Sequence, residues 1–504
     1  MPLTATIALN LDHHAGVIDR RIFSGFLEHL GRAVYEGVYD PGNPLSDEQG
    51  LRIDVIQALK HMNMPLVRYP GGNFVSCYDW RDGIGPREKR PARPDFAWKS
   101  IEANTFGTDE FMDFARKLGC EAMMAVNLGT CGATEAAALL EYCNLPVGTS
   151  WADRRAANGH RDPYRVKTWC LGNEMDGPWQ AGHVPAQVYA QRADQAGKMM
   201  KGLDDKIELV VCGSSGRGMS TYLEWDRQVL EYCWDGIDYI SAHRYSSNAR
   251  KDSAWYLGEG IEVDRIIQDY AALIGYVRGV KKSNKRIGLS FDEWNVWYRE
   301  MNLDGGWKIA PHLLEEHYNL EDALVCAQYL NSFVRHADIV KMACIAQIVN
   351  VIAPILTSKS GLLIQSIYYP FVAFSQHARG RSLRPIVAAP TVKAGDRGDV
   401  PAIDVSVCYD PDTDALTAFF VNRSLSSSIS TELRVDGARV TAVTSVEQTA
   451  GTDPKSANTW ASPTAVKPTR GEARIGDNGE LHVTLPSLGF VCVRAVLTKL
   501  SRTP

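Results

Sequence analysis

The sequence has no run of about 18 apolar residues, the length a helix needs to cross a bilayer, so no membrane partner is expected. It has no CxxC pair, and its 11 cysteines are an odd number scattered along the chain. That pattern argues against a disulfide framework or a zinc ribbon. Cys170, Cys212, Cys344 and Cys492 sit inside apolar runs, where a reduced thiol serves as a small core residue. An excess of one charge is also missing: 54 Lys and Arg against 59 Asp and Glu leave a net charge of −5. Proteins that wrap nucleic acid usually carry a basic field, so no nucleic-acid partner is expected. The opening MPLTATIALNLDHH lacks the basic segment, apolar core and small-residue cleavage site of a signal peptide. These absences together lead to the expectation of a cytoplasmic protein without disulfides, in which the Asn422-Arg423-Ser424 sequon is silent.

What is present is an ordinary globular balance, 45% hydrophobic and 22% charged, in two regimes. Ile7, Leu9 and Leu11 alternate as in an extended strand. From 18 to 385, short apolar runs alternate with amphipathic stretches. Eight runs read as strands, near 23, 65, 122, 167, 208, 238, 287 and 342. They suit a parallel sheet buried on both faces. TDEFMDFARKLG reads as a helix capped by Thr108 and stopped at Gly119, with Phe111, Phe114, Ala115 and Leu118 on one face. Eight strands with intervening helices predict a (β/α)8 TIM barrel. The alternative, a doubly wound open sheet, lacks a GxGxxG after its first strand. From 386 to 504 the helical pattern stops, and IDVSVCY, ALTAFFV, STELRVD, RVTAVTSV, ELHVTL and FVCVRAVL predict a C-terminal antiparallel β-sandwich of jelly-roll type.

Nearly every apolar run in the first regime ends in a polar side chain: Glu28, Arg68, Asn73, Asn127, Asn173, Glu174, Ser214, His243, Tyr245, Glu293, Gln347 and Asn350. Any one strand end is polar simply where it meets water. Eight ends converging on the C-terminal mouth of a barrel, where such enzymes keep their chemistry, are harder to explain that way. Two carboxylates stand out. Glu174 ends the fourth run among Trp169, Pro178 and Trp179, and Glu293 ends the seventh among Phe291, Trp294, Trp297 and Tyr298. Aromatic walls suit a sugar ring and desolvate a carboxyl. Two opposed carboxylates of that kind are the equipment for cleaving a glycosidic bond.

WCLGNEMDGPWQ (169–180) and FDEWNVWY (291–298) resemble glycoside hydrolase family 51, the α-L-arabinofuranosidases. So do GFLEHLGRAVYEGVYDP (25–41), RYPGGNFVS (68–76), WKSIEANTFGTDEF (98–111), SAHRY (241–245) and AQIVNVIAPI (346–355). The resemblance implies a retaining exo-acting α-L-arabinofuranosidase with Glu174 as acid/base and Glu293 as nucleophile. It implies Glu28, Asn73, Asn173, Tyr245 and Gln347 around the arabinose, with Trp98 and Trp179 lining the pocket. Arg68 and His243 are taken as supporting residues. It also implies that the first strand, within 1–17, joins the sandwich, and that the chain is a homo-oligomer, a trimer or hexamer. The expected substrate is an arabinose-containing oligosaccharide from arabinoxylan or arabinan. No cofactor and no metal are implied, because two carboxylates and water suffice.

The chain departs from the family pattern at Cys77, Thr105 and Ser246. Competing readings are a β-xylosidase or β-glucanase of the same barrel clan, and a carbohydrate-binding barrel without turnover. Other features read as structural. His13 with His14, and His312 with His317, lack the partners of a zinc site. Met123, Met124, Met199 and Met200 are expected in the core, and KRPAR (89–93) in a solvated loop. Gly71-Gly72-Asn73 lacks the Gly-Lys-Ser/Thr of a phosphate loop.

Overall fold

The structure is a computed structural model, and it describes residues 3–299 and 307–500. Eight strands form a closed barrel: β1 (Ser24–Phe26), β2 (Leu66–Tyr69), β3 (Glu121–Val126), β4 (Thr168–Leu171), β5 (Glu208–Val211), β6 (Tyr239–Ser246), β7 (Gly288–Val296) and β8 (Val340–Ala346). Each pairs in parallel with the next, and β8 closes on β1. All eight runs read from the sequence are these strands. Parallel strands need crossovers, and helices such as Thr108–Leu118, Ala186–Leu203 and Leu320–Arg335 supply them. The barrel interior is filled by Leu66, Met123, Ala125, Cys170, Val210, Met342 and Cys344, a layer of small and medium side chains that leaves no pore. Cys170 and Cys344 are therefore buried, unpaired core thiols, and all 11 cysteines are free.

The helix predicted at TDEFMDFARKLG spans Thr108–Leu118 and stops at Gly119, whose φ is +84°. Thr108 is its first residue and not its cap. Gly107 holds the cap position, and its N–H donates to Glu110 Oε2 at 2.9 Å. The reason is steric: a Cβ at 107 would stand 2.0 Å from the Gly83 carbonyl oxygen. Met123, Met124 and Met200 are buried as expected, but Met199 is exposed, because neighbouring helix positions face different ways.

The C-terminal part is two packed sheets of five and seven strands. Leu3–Asn10 lies in the smaller sheet, with Ala5, Ile7 and Leu9 buried in the sandwich core. It pairs in parallel with Ile429–Asp436; every other pairing in the two sheets is antiparallel. Arg381–Leu383 pairs with Ile403–Asp410 and so already belongs to the larger sheet. Sandwich and barrel meet across charged and aromatic contacts. Asp404 pairs with Arg335 and Arg423 at 3.0 Å each, and Phe374 stacks on Phe419 at 3.9 Å. Gly107→Ala should lower the unfolding free energy by about 1–3 kcal/mol, read as a lower urea midpoint at unchanged m-value.

Candidate active site

The barrel's C-terminal mouth opens into a cavity of about 340 Å³. Glu28, Asn73, Trp98, Glu174, Trp179, Tyr245, Glu293 and Gln347 all line it. Arg68 and His243 are bonded to the lining residues Glu293 and Glu174, and Asn173 is bonded in turn to Arg68. Every site residue named from the sequence is therefore gathered at one end of the barrel. Asn127, Ser214 and Asn350 are not. Asn127 ties its loop to Tyr78 and Thr130, Ser214 donates to Asp226, and Asn350 bonds Arg32 and Thr357. All three are buried, so contact with water does not explain their polarity; they hold local structure and not substrate.

Glu293 is the most constrained group. Arg68 Nη1 donates to its Oε1 at 2.8 Å, and the Tyr245 hydroxyl donates to its Oε2 at 2.9 Å. Burial pushes its carboxyl above the ordinary value, and the nearby Glu174 adds to this, while His243 and Arg68 pull it back. Glu174 stands opposite. The Trp179 indole N–H donates to its Oε2 at 2.9 Å, and His243 Nδ1 faces its Oε1 at 2.8 Å. Its backbone takes φ +44°, a left-handed value uncommon outside glycine. One oxygen of Glu174, one of Glu293 and a ring nitrogen of His243 lie within 4.8 Å of one another.

Glu28 lies on the far wall. Its Oε1 accepts from the Phe74 backbone N–H at 2.9 Å and the Trp98 indole at 3.0 Å. Gln347 Oε1 in turn accepts from the Glu28 backbone N–H at 2.8 Å. The two glycines before Asn73 let this wall close: a Cβ at Gly72 would come 2.8 Å from Glu28 Oε2. Burial pushes the Glu28 carboxyl up to about 8, against the lowering effect of its backbone and indole donors. Asn173 Oδ1 accepts from Arg68 Nη2 at 2.6 Å, while its buried Nδ2 has no partner among the described residues. KRPAR is only partly solvated. Arg90 is buried against Glu110, and the strand Arg93–Asp95 opens the hairpin that delivers Trp98.

Trp297, one of the aromatics expected around Glu293, lines the cavity and packs edge-on to Tyr245, with ring centres 5.1 Å apart. Several other residues at the site were not singled out in the sequence. The Arg299 guanidinium lies 4.6 Å above the Trp297 ring. Phe26, Leu30, Leu314 and Ile352 supply apolar wall. Asp292 sits below, its Oδ1 2.9 Å from His243 Nε2. Strand alternation alone would send Asp292 away from Glu293. However, β7 carries an extra residue here against both neighbours: three steps from Phe291 to Trp294 match two on β8, and three from Ser290 to Glu293 match two on β6. Such a bulge re-aims side chains, and both carboxylates reach His243. Among the family departures, Ser246 turns from the cavity to donate to Glu259 at 2.7 Å.

A TIM barrel with two closely opposed carboxylates at its mouth, walled by tryptophans, is the site of a glycoside hydrolase. Comparison with known proteins agrees. Residues 58–259 match the α-L-arabinofuranosidase 1 domain, and 292–488 match the α-L-arabinofuranosidase C-terminal domain. The chain is 48% identical to the intracellular exo-α-(1→5)-L-arabinofuranosidase of Halalkalibacterium halodurans, over 85% of this chain and 87% of that one. It is 46% identical to intracellular exo-α-(1→5)-L-arabinofuranosidase 1 of Bacillus subtilis, over 86% and 87%. The solved family 51 α-L-arabinofuranosidase AbfB of Bifidobacterium longum superposes with a TM-score of 0.94 at 39% identity, covering 98% of this chain and all of that one. The chain belongs to glycoside hydrolase family 51, the α-L-arabinofuranosidases.

The pKa of Glu28 carries a stability consequence. A carboxyl whose folded value lies above its unfolded one holds an extra proton in the folded state between the two, so stability falls as pH rises. For Glu28 that window runs from 4.5 to about 8. Glu28→Gln should flatten this fall by on the order of a few kcal/mol, measured by urea unfolding at pH 5 and pH 8. An equal fall in wild type and variant would show that Glu28 is ionised throughout.

Proposed function

We propose that the enzyme removes terminal α-L-arabinofuranosyl residues from arabinoxylan- and arabinan-derived oligosaccharides by double displacement with retention. The observation that carries this reading is the spacing of Glu174 and Glu293, with oxygens within 4.8 Å. Retaining glycosidases hold their carboxyls about 5–5.5 Å apart, whereas inverting ones leave room for a water between them. The cavity of about 340 Å³ is at the small end for ligand sites. It suits one terminal sugar and not a threaded polymer, which supports exo action.

Glu293 attacks C1 while Glu174 protonates the leaving oxygen; Glu174 then takes a proton from the water that hydrolyses the arabinosyl ester. The donors on Glu293, Arg68 and Tyr245, favour its anion. Asn173 Nδ2, buried and without a partner among the described residues, has its orientation set by Arg68 and can donate to the sugar 2-hydroxyl. Glu28, Asn73 and Gln347 offer mixed acceptors and donors to the remaining hydroxyls, and Trp98 and Trp179 wall the ring. A buried polar site of this kind rejects sugars that leave its groups unpaired.

Similarity to the intracellular exo-α-(1→5)-L-arabinofuranosidases of Halalkalibacterium halodurans and Bacillus subtilis supports an α-(1→5) linkage preference and a cytoplasmic location. A trimer or hexamer follows from the family resemblance. Residues 18–380 form the catalytic unit, and 1–17 with 381–504 the sandwich, since the strand Arg381–Leu383 pairs into the larger sheet.

Glu293→Ala should lower turnover of 4-nitrophenyl α-L-arabinofuranoside by about 10⁴-fold or more. Appreciable residual activity would remove it from the nucleophile role. Glu174→Ala should cost natural oligosaccharides about 10²–10⁴-fold and activated aryl glycosides far less, with rescue by azide. Equal losses across leaving groups would overturn the acid/base assignment. Faster hydrolysis of the 4-nitrophenyl xylopyranoside than of the arabinofuranoside would move the substrate while keeping both glutamates.

A further inference from the structure

Asp292 is completely buried, lines no part of the sugar cavity, and yet belongs to the reaction centre through one contact. Both nitrogens of His243 face carboxylates: Nε2 lies 2.9 Å from Asp292 Oδ1 and Nδ1 lies 2.8 Å from Glu174 Oε1. A neutral imidazole has one N–H and one lone pair. The two contacts therefore cannot both be hydrogen bonds to ionised carboxylates unless the ring carries both protons. Otherwise one carboxyl must supply the proton itself.

Which carboxyl can do so is set by the surroundings. Asp292 is faced by Arg68 from β2, whose Nε is 3.9 Å away, by Cys170 from β4, His243 from β6 and Cys344 from β8, with Cys212 just past β5. Burial pushes all three thiols up, so they stay neutral. Burial also opposes charge on Asp292, but Arg68 and His243 outweigh it and hold its carboxyl below the ordinary value. Asp292 is thus an ionised acceptor, and the Nε2 proton is pinned to it. That leaves Nδ1 and Glu174 Oε1 to share the second proton. Burial disfavours a charged His243, yet Glu293, Asp292 and Glu174 around it hold its pKa well above the ordinary value. The phenol of Tyr245, also buried, stays neutral.

We propose that Asp292 is a positioning residue for proton transfer, acting through His243 so that the Glu174–His243 pair carries the one proton passed to the leaving oxygen. This rests on the assignment of Glu174 as acid/base. In the first step that proton moves from Glu174 to the glycosidic oxygen as the C1–O bond breaks and a Glu293 oxygen bonds C1. In the second, water oxygen bonds C1, the Glu293–C1 bond breaks, and the water's proton returns to Glu174. Glu293 Oε2 lies 3.5 Å from His243 Nδ1. Its charge favours the protonated imidazole of His243 in the free enzyme, and that support is lost when Glu293 becomes the ester.

The test is Asp292→Asn, which keeps shape and removes charge. Taking an anion from beside an imidazolium lowers its proton affinity, so the basic limb of the kcat/KM profile should move down by about one pH unit or more. Loss at neutral pH should be about tenfold or more on an arabino-oligosaccharide and slight on a dinitrophenyl arabinofuranoside. An unmoved basic limb, or equal losses on both substrates, overturns the proposal. Should the variant not fold, ¹⁵N-histidine NMR of the wild-type enzyme decides, with His243 assigned by difference from His243→Gln. Nε2 should stay protonated across the titration while Nδ1 alone responds; a neutral ring protonated at Nδ1 overturns the relay. Glu174→Ala run alongside separates the two ideas. Azide rescue there with an unmoved Asp292→Asn profile removes only the relay, whereas no rescue removes the acid/base role beneath it.

Discussion

The guanidinium of Arg68 holds the mouth of the barrel together. It bonds Glu293 and Asn173 and lies beside Asp292, with its own face over the ring of Phe26 at 4.7 Å. Four carboxyls, Glu28, Glu174, Asp292 and Glu293, crowd this one end of the fold. Taking even a pair of charges out of water costs several kcal/mol per ion unless geometry and hydrogen bonding repay it. Arg68, together with the imidazole of His243 that faces three of these carboxyls, makes the arrangement tolerable. Because an arginine fork is planar and always charged, it fixes the orientation of Asn173 as well as the charge of Glu293. Among the described residues Glu28 makes no ion pair, and its burial is offset by backbone and indole N–H donors instead.

The backbone makes room for this crowding at a few places. The bulge on β7 turns two successive acids toward the same imidazole, at a point where a regular strand would have lost one of them to the outer face. The Gly71–Gly72 pair lets the chain after β2 pass against Glu28 at a distance no side chain would allow. These departures from regular geometry cluster at the mouth, while the interior layer below, built from Met, Leu, Val and Cys, is ordinary packing. The division follows a general pattern: the lower barrel supplies stability and the strand ends supply function.

The hydrophobic periods of this sequence determined its architecture. Eight short apolar runs with helical stretches between them admit one closed solution, and alternating strands after 386 admit a sandwich, because burial of apolar faces is strongly specified by spacing. The residues that end those runs were legible too, and the sequence motifs around Glu174 and Glu293 pointed to their chemistry. What the sequence could not decide was which polar strand ends are functional. Asn127, Ser214 and Asn350 look like Asn173 and Glu293 in one dimension, and only the fold turns them toward loops and wall. Nor could it decide the part played by Asp292, since period-two alternation sends that side chain the wrong way until a register shift against two neighbouring strands corrects it. The cap at Gly107 and the exposure of Met199 belong to the same class. Each depends on what another segment places within a few ångströms, and contacts between distant segments are fixed by packing, which local sequence does not encode.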